Sequence, residues 1–198
     1  MKTMKIKFLK PIVCLPIVAL LYFSCGESTS KKAGDSAISE NVVSQAETPE
    51  MGLQAAILSD NIEVVKQHIN AGSDLNEKDA MSGSTPLITA ASFGKQEMAK
   101  LLIDAGVNLS LKNNDGATAL HTAAFFCRTE LVQLLLDAKA DTSITNNFGA
   151  TPRQTVLGPY QELKPIYEML KQQLQPIGME IDLQHIEATR PLIAEMLK

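Results

Sequence analysis

Gly116-Ala117-Thr118-Ala119-Leu120-His121-Thr122-Ala123-Ala124 is the stretch that decides how this chain folds. One unit upstream stands Ser84-Thr85-Pro86-Leu87-Ile88-Thr89-Ala90-Ala91, and one unit downstream Gly149-Ala150-Thr151-Pro152. Thr85, Thr118 and Thr151 are 33 residues apart each time. A fixed period of that length marks a repeat array, in which each unit buries its apolar side on the next. Composition agrees. Aromatics make up 5% of the 198 residues and Trp is absent, so Ala, Leu and Ile must fill small interlocking layers.

The Thr-Pro-Leu-His-x-Ala-Ala core repeated at this period resembles the ankyrin repeat. The resemblance implies an all-α solenoid of helix-turn-helix units with short β-turn fingers, about four units plus a C-terminal capping helix. The first unit spans 51–81. Leu53, Ala56 and Ile57 stand where Leu87, Ala90 and Ala91 stand later, and Ile62, Val64, Val65 and Ile69 give its second helix an apolar face. It carries Gln67 and His68 where the next unit has Leu101 and Leu102, the polar outer helix a terminal cap needs. The second unit, 82–114, opens a helix at Thr85-Pro86, with Thr as cap and Pro in the first turn. Met98, Leu101, Leu102 and Ile103 face the core from its second helix.

The third unit, 115–147, keeps His121, which in the family bonds loop backbone and stiffens the turn, and has Lys139 where Gly106 ends the previous helix. The fourth, 148–175, is degenerate: Arg153 takes the place of Leu120 and Gly158-Pro159 cuts the first helix short. A second helix over about 162–174 carries Leu163, Ile166, Tyr167 and Leu170 as a stripe. Residues 176–198 then supply the cap, a helix opened by Asp182 and kinked or divided at Pro191. Leu183, Ile186, Ile193 and Leu197 would cover the exposed end of the stack, in preference to docking on a partner.

The amino terminus reads differently. Residues 1–10 hold four lysines, and the apolar run 12–23 is about a dozen residues, short of the roughly 20 a bilayer-spanning helix needs. This is the pattern of a secretory signal, 1–24. Its end, Leu21-Tyr22-Phe23-Ser24-Cys25-Gly26, looks like a bacterial lipobox, with Tyr22 departing from the usual Leu, Val or Ile. The likeness implies that Cys25 is acylated and becomes the first mature residue, a palmitate-type lipid anchor in the bacterial cell envelope. Outer-membrane residence is allowed, since Gly26 is not the Asp that favours inner-membrane retention. Simple secretion and a retained apolar anchor are the alternatives. Residues 25–50 form a tether rich in Ser, Lys, Glu, Ala and Gln. With Cys14 removed and Cys25 lipidated, Cys127 remains as a lone thiol, read as a small buried residue.

The formal charge is −4, and removal of Lys2, Lys5, Lys7 and Lys10 leaves 14 basic against 22 acidic side chains. Such a surface repels phosphate backbones, which argues against nucleic acid as a partner. Members of the resembled family bind other proteins with the finger tips and the concave face of the first helices. Placed by motif, that surface is Met81, Ser82, Ser84, Ser92 and Phe93; Asn114, Asp115, Ala117, Phe125 and Phe126; and Asn147, Phe148 and Ala150. The mature chain's four Phe all fall there, with Phe125 and Phe148 the clearest anchors and Phe93 and Phe126 closer to the core.

Catalysis needs convergent groups, and no Gly-x-Ser-x-Gly, phosphate-loop or His-Glu-x-x-His motif is present. His68, His121 and His185 fall in different units, away from any metal-ligand spacing. The expectation is a non-enzyme without metal or cofactor, probing a protein partner as a monomer tethered to the membrane. A structural spacer of the envelope without specific ligand is the alternative, and a small-molecule or lipid carrier ranks below both.

Overall fold

The computed structural model describes residues 48–198, all within one unit of the chain, Val42–Lys198. The signal and most of the tether, Cys25 included, lie outside the described residues. Helices alternate in pairs: α1 (Leu53–Leu58) and α2 (Ile62–Asn70), α3 (Pro86–Phe93) and α4 (Gln96–Asp104), α5 (Ala119–Phe125) and α6 (Thr129–Asp137). A 3-10 turn (Arg153–Thr155), α7 (Tyr160–Leu174), a second 3-10 turn (Gln175–Ile177) and α8 (Leu183–Met196) follow.

Local chemistry sets the helix starts. Thr85 Oγ1 accepts from Ile88 N–H with Pro86 behind it, and Thr118 Oγ1 accepts from His121 N–H. Asn61 and Asp182 cap α2 and α8 in the same way, satisfying amides that no helical carbonyl can reach. The α1, α3 and α5 row forms an inner layer, α1 packing on α3 and α3 on α5. Ala56, Ala90, Ala91, Ala123 and Ala124 are fully buried there, and their small side chains let the backbones approach. The outer layer runs α2, α4, α6. Val65, Met98, Leu102, Leu131 and Leu135 fill the space between layers, each worth roughly 1.5–3 kcal/mol of burial.

Three expectations need correction. On α4 Met98 and Leu102 are fully buried and Leu101 and Ile103 pack half-buried on the core, but Ala99, absent from the expected set, is fully buried as well. His68 is not an exposed cap residue but sits 5% exposed in the core slot of Leu102. It fits because both ring nitrogens are satisfied, Nδ1 2.9 Å from Ser73 Oγ and Nε2 2.8 Å from Met51 O.

The third correction concerns the fourth unit. The 3-10 turn packs on α5 in the inner row, and α8, not the helix at 160–174, packs on α6 in the outer row. Outer helices follow Asn61, Lys95, Arg128 and Asp182, so intervals of 34 and 33 residues give way to one of 54. The cap is therefore the fourth outer helix itself, and α7 is inserted between the two halves of that unit. Ile186, Ile193 and Leu197 are buried as expected and Leu183 half-buried, while Ile166 of α7 points to solvent at 41% exposure. Pro191 lies within α8, which continues through it.

Candidate functional site

The fingers are built from one device used three times. Asp79, Asn113 and Asn146 each turn a side-chain oxygen back onto the amides that follow. Asp79 Oδ1 accepts from Met81 and Ser82 N–H, and its Oδ2 from Ser84 N–H. Asn113 Oδ1 accepts from Asp115 and Ala117 N–H, and Asn146 Oδ1 from Phe148 and Ala150 N–H. These turns hold Met81, Asn114-Asp115 and Asn147-Phe148 at the tips. Burial pushes the Asp79 carboxyl up, but the bonds from Ser82, Ser84 and Met81 outweigh it and hold the group below its usual value.

Neighbouring fingers are tied edge to edge. Asn114 N–H donates to Ser82 O at 2.9 Å, and Asn147 N–H to Asp115 O at 2.9 Å. Asn114 Nδ2 donates to Met81 O at 3.1 Å and Asn147 Nδ2 to Asn114 O at 2.8 Å. The approach is close enough to require glycine. A Cβ on Gly116 would sit 2.7 Å from Asn147 N, and one on Gly83 3.3 Å from Asn114 N. Behind the fingers His121, 1% exposed, locks the third unit to the fourth. Its Nε2 donates to Ala150 O at 3.0 Å, while Nδ1 accepts from Thr118 N–H at 3.2 Å. Burial holds its pKa below the ordinary value, the bond to Ala150 opposing this in part.

The candidate contact residues divide into three groups. Met81, 92% exposed, and Phe148, 72% exposed, stand free at the tips, with Ser82, Asp115 and the outer faces of Asn114 and Asn147 beside them. Asn114 and Asn147 also spend their amides on the neighbouring finger, so they shape the surface more than they offer it. Ser84 is buried, and with Ala117 and Ala150 lies at the finger base. Phe93 and Phe126 are half-buried against the core as expected, and so is Phe125, which was expected to stand free as an anchor; Ser92 turns its hydroxyl onto Ile88 O.

Phe125 is the largest departure. Its ring is stacked on Tyr167 of α7, centroids 4.7 Å apart and planes 27° apart, and meets Phe126 edge-on at 5.1 Å. Tyr167 Oη donates to Phe125 O at 2.8 Å, supplying a partner for a carbonyl in the last turn of α5. Arg190, 2% exposed, donates to Tyr167 Oη at 3.2 Å. Burial pushes the Tyr167 hydroxyl up to about 12, so it is a hydrogen-bonding group and not an acid. Sequence reasoning placed Tyr167 in a stripe and missed Arg190; the signal for both was the overlong interval before Asp182.

Chemistry is sparse elsewhere. Cys127 is buried and free, and burial pushes its thiol up to about 11, which suits a packed side chain and not a nucleophile. Among the described residues no three His, Cys, Asp or Glu side chains are grouped to hold a metal ion, and no helix is long and apolar enough to cross a membrane.

Stacked helix pairs with tied fingers define an ankyrin-repeat domain, an architecture whose exposed features are shaped for contact with another protein. Residues 53–146 match the family model for ankyrin repeats in three copies. Over 64 residues the chain is 39% identical to protein phosphatase 1 regulatory subunit 27 of Homo sapiens, covering 32% of this chain and 41% of that protein. It is 38% identical over 64 residues to dauer abnormal formation protein 25 of Caenorhabditis elegans, 32% of this chain and 16% of that one. Among solved structures, the ankyrin repeat domain of Bcl-3, described as a unique member of the IkappaB protein family, aligns with a TM-score of 0.51 at 31% identity. That alignment covers 52% of this chain and 45% of Bcl-3's. The chain thus spans less than half the length of these relatives.

Proposed function

We infer that this chain is a membrane-tethered protein-binding module of a bacterial envelope, and that its partner is an enzyme or toxin it inhibits or assists. The observation that carries the binding reading is the finger row. Three turns are fixed by their own Asx bonds and tied to one another, and they present Met81 and Phe148 almost bare to solvent. A methionine and a phenylalanine held rigidly in water are unfavourable for an isolated domain and suited to a pocket on a partner. One relative is named as a regulatory subunit of a phosphatase, which favours an enzyme as the partner. The lysine-rich start, the short apolar run and Ser24-Cys25 support the envelope location.

Two comparisons test this. The full chain and a Met81→Asp, Phe148→Asp variant are used as baits in envelope extract. The wild type should retain a discrete protein that the variant does not, at equal thermal midpoints; equal retention by both would remove the tips from the interface. Separately, Cys25→Ser should abolish lipid labelling and move the protein out of the membrane fraction. Unchanged processing and fractionation would refute the anchor.

A further inference from the structure

α7 is an addition to the repeat pattern, held by one fully buried side chain with Tyr160, Leu163, Leu170 and Leu174 half-buried beside it and Tyr160 Oη donating to Leu183 O. It is bracketed by Gly158, φ 98°, and Gly178, φ 86°, neither with an atom near enough to crowd a side chain. Of its 15 residues Tyr167 alone is fully buried, while Ile166 and Met169 are 41% and 48% exposed. Helices of this length are marginal in water by themselves, so docking decides whether this one persists. The docking converges on Tyr167: its ring stacks on Phe125 and on Tyr160, and its hydroxyl lies between Phe125 O and Arg190. Arg190 Nη2 also reaches Gly158 O at 3.4 Å, holding the first hinge closed.

What lies under the helix is the end of a row. Leu58, Ser92 and Phe125 occupy the same position at the close of α1, α3 and α5, and Leu58 is 44% exposed. The last of the three, Phe125, is covered by the ring of Tyr167. We propose that α7 is a detachable strap over this end of the inner-helix face, hinged at Gly158 and Gly178. The partner it competes with is a protein segment that stacks a ring on Phe125 and donates a hydrogen bond to its carbonyl, as Tyr167 does. The competition rests on the binding reading above; the strap does not, and it can be tested with no partner present.

The experiment is hydrogen exchange with mass spectrometry on the full chain, for the wild type, Tyr167→Ala and Tyr167→Phe. In the wild type, peptides over 160–174 should exchange through a local opening, ahead of α3 and α5. Tyr167→Ala should speed their exchange about a hundredfold, and Tyr167→Phe, which keeps the stack and loses the hydroxyl, about tenfold. Protection of α3 and α4 should stay unchanged in both. Exchange of 160–174 at the same rate as α5 in the wild type would overturn the proposal, as would an equal acceleration of α3 to α6 in either variant. A failed capture experiment beside a positive exchange result would reject the partner and leave the strap standing.

Discussion

Gly116→Ala probes the tie between fingers, and Gly149→Ala is its control. Both glycines occupy the same place in their turns and have nearly the same φ, 72° and 73°. A methyl group in that left-handed conformation costs about 1 kcal/mol at either site. Only at Gly116 does it also meet a neighbour, since the added Cβ would fall against Asn147 Oδ1 and lie 2.7 Å from Asn147 N and 2.8 Å from its Cγ. Backbone and a twice-bonded amide cannot step aside cheaply. The third finger has to move, loosening Asn147 N–H to Asp115 O and Asn147 Nδ2 to Asn114 O. At about 0.5–1.5 kcal/mol net for each bond, Gly116→Ala should cost about 2–4 kcal/mol in total against about 1 kcal/mol for Gly149→Ala. For a domain of this size each kcal/mol lowers the midpoint by roughly 2–4 °C, so the two variants should melt several degrees apart. Circular dichroism at 222 nm during thermal and urea unfolding of the full chain reads this directly. Equal destabilisation by the two substitutions would refute the inter-finger contact and, with it, the rigidity assigned to the tips.

Asp79→Asn keeps an acceptor for Met81 and Ser82 N–H but sets an amide NH2 against the Ser84 N–H that Asp79 Oδ2 accepts, and should lower the midpoint at neutral pH by the equivalent of about 1 kcal/mol. Because the folded Asp79 pKa is depressed, its contribution is present above the ordinary value of 3.8 and lost as pH falls through the lower folded value. The variant should therefore show a shallower loss of midpoint below pH 4; an unchanged slope in acid titration would contradict the Asx bonding. His121 is also depressed, by burial, and the sign is the same, because a lowered folded pKa leaves the unfolded state binding more protons. Its unfolded form takes up a proton near pH 6.5 while the folded form resists, so stability present above that pH drains away on acidification. His121→Asn should melt below the wild type at pH 8 and close part of that gap at pH 5.5. Lys139, φ 64°, stands in a left-handed helix end, and Lys139→Gly should raise the midpoint by the equivalent of about 0.5–1 kcal/mol in the same melts, where a decrease would show that the lysine is held there by something else.

The repeat period was legible because stacking demands it. Thr85, Thr118, Asp182 and the paired alanines have local roles, and caps and close helix contacts leave fixed residue types at fixed spacings. Other features depend on which surfaces meet across the chain. Both α7 and α8 carry an apolar stripe, and the α6 surface takes the one with Ile186 and Ile193. Phe125 reads as a free anchor at the close of α5, and nothing in its own unit tells that Tyr167, 42 residues on, covers it. His68 reads as polar and lies buried, because its partners Met51 O and Ser73 are set by how the chain enters and leaves the first unit. Asn114 and Asn147 sit at the tips as expected, while their use as ties follows from the distance between fingers.

The central claim, that this chain holds another protein on its finger side, is met most directly by site-specific photocrosslinking in the cell. A photoreactive residue is placed at Phe148 on the fingers and, in a separate variant, at Gln133, exposed on outer helix α6. Irradiation should convert the Phe148 variant into one discrete heavier adduct containing a second protein, and leave the Gln133 variant unshifted. No adduct from Phe148, or the same adduct from both positions, would contradict the account.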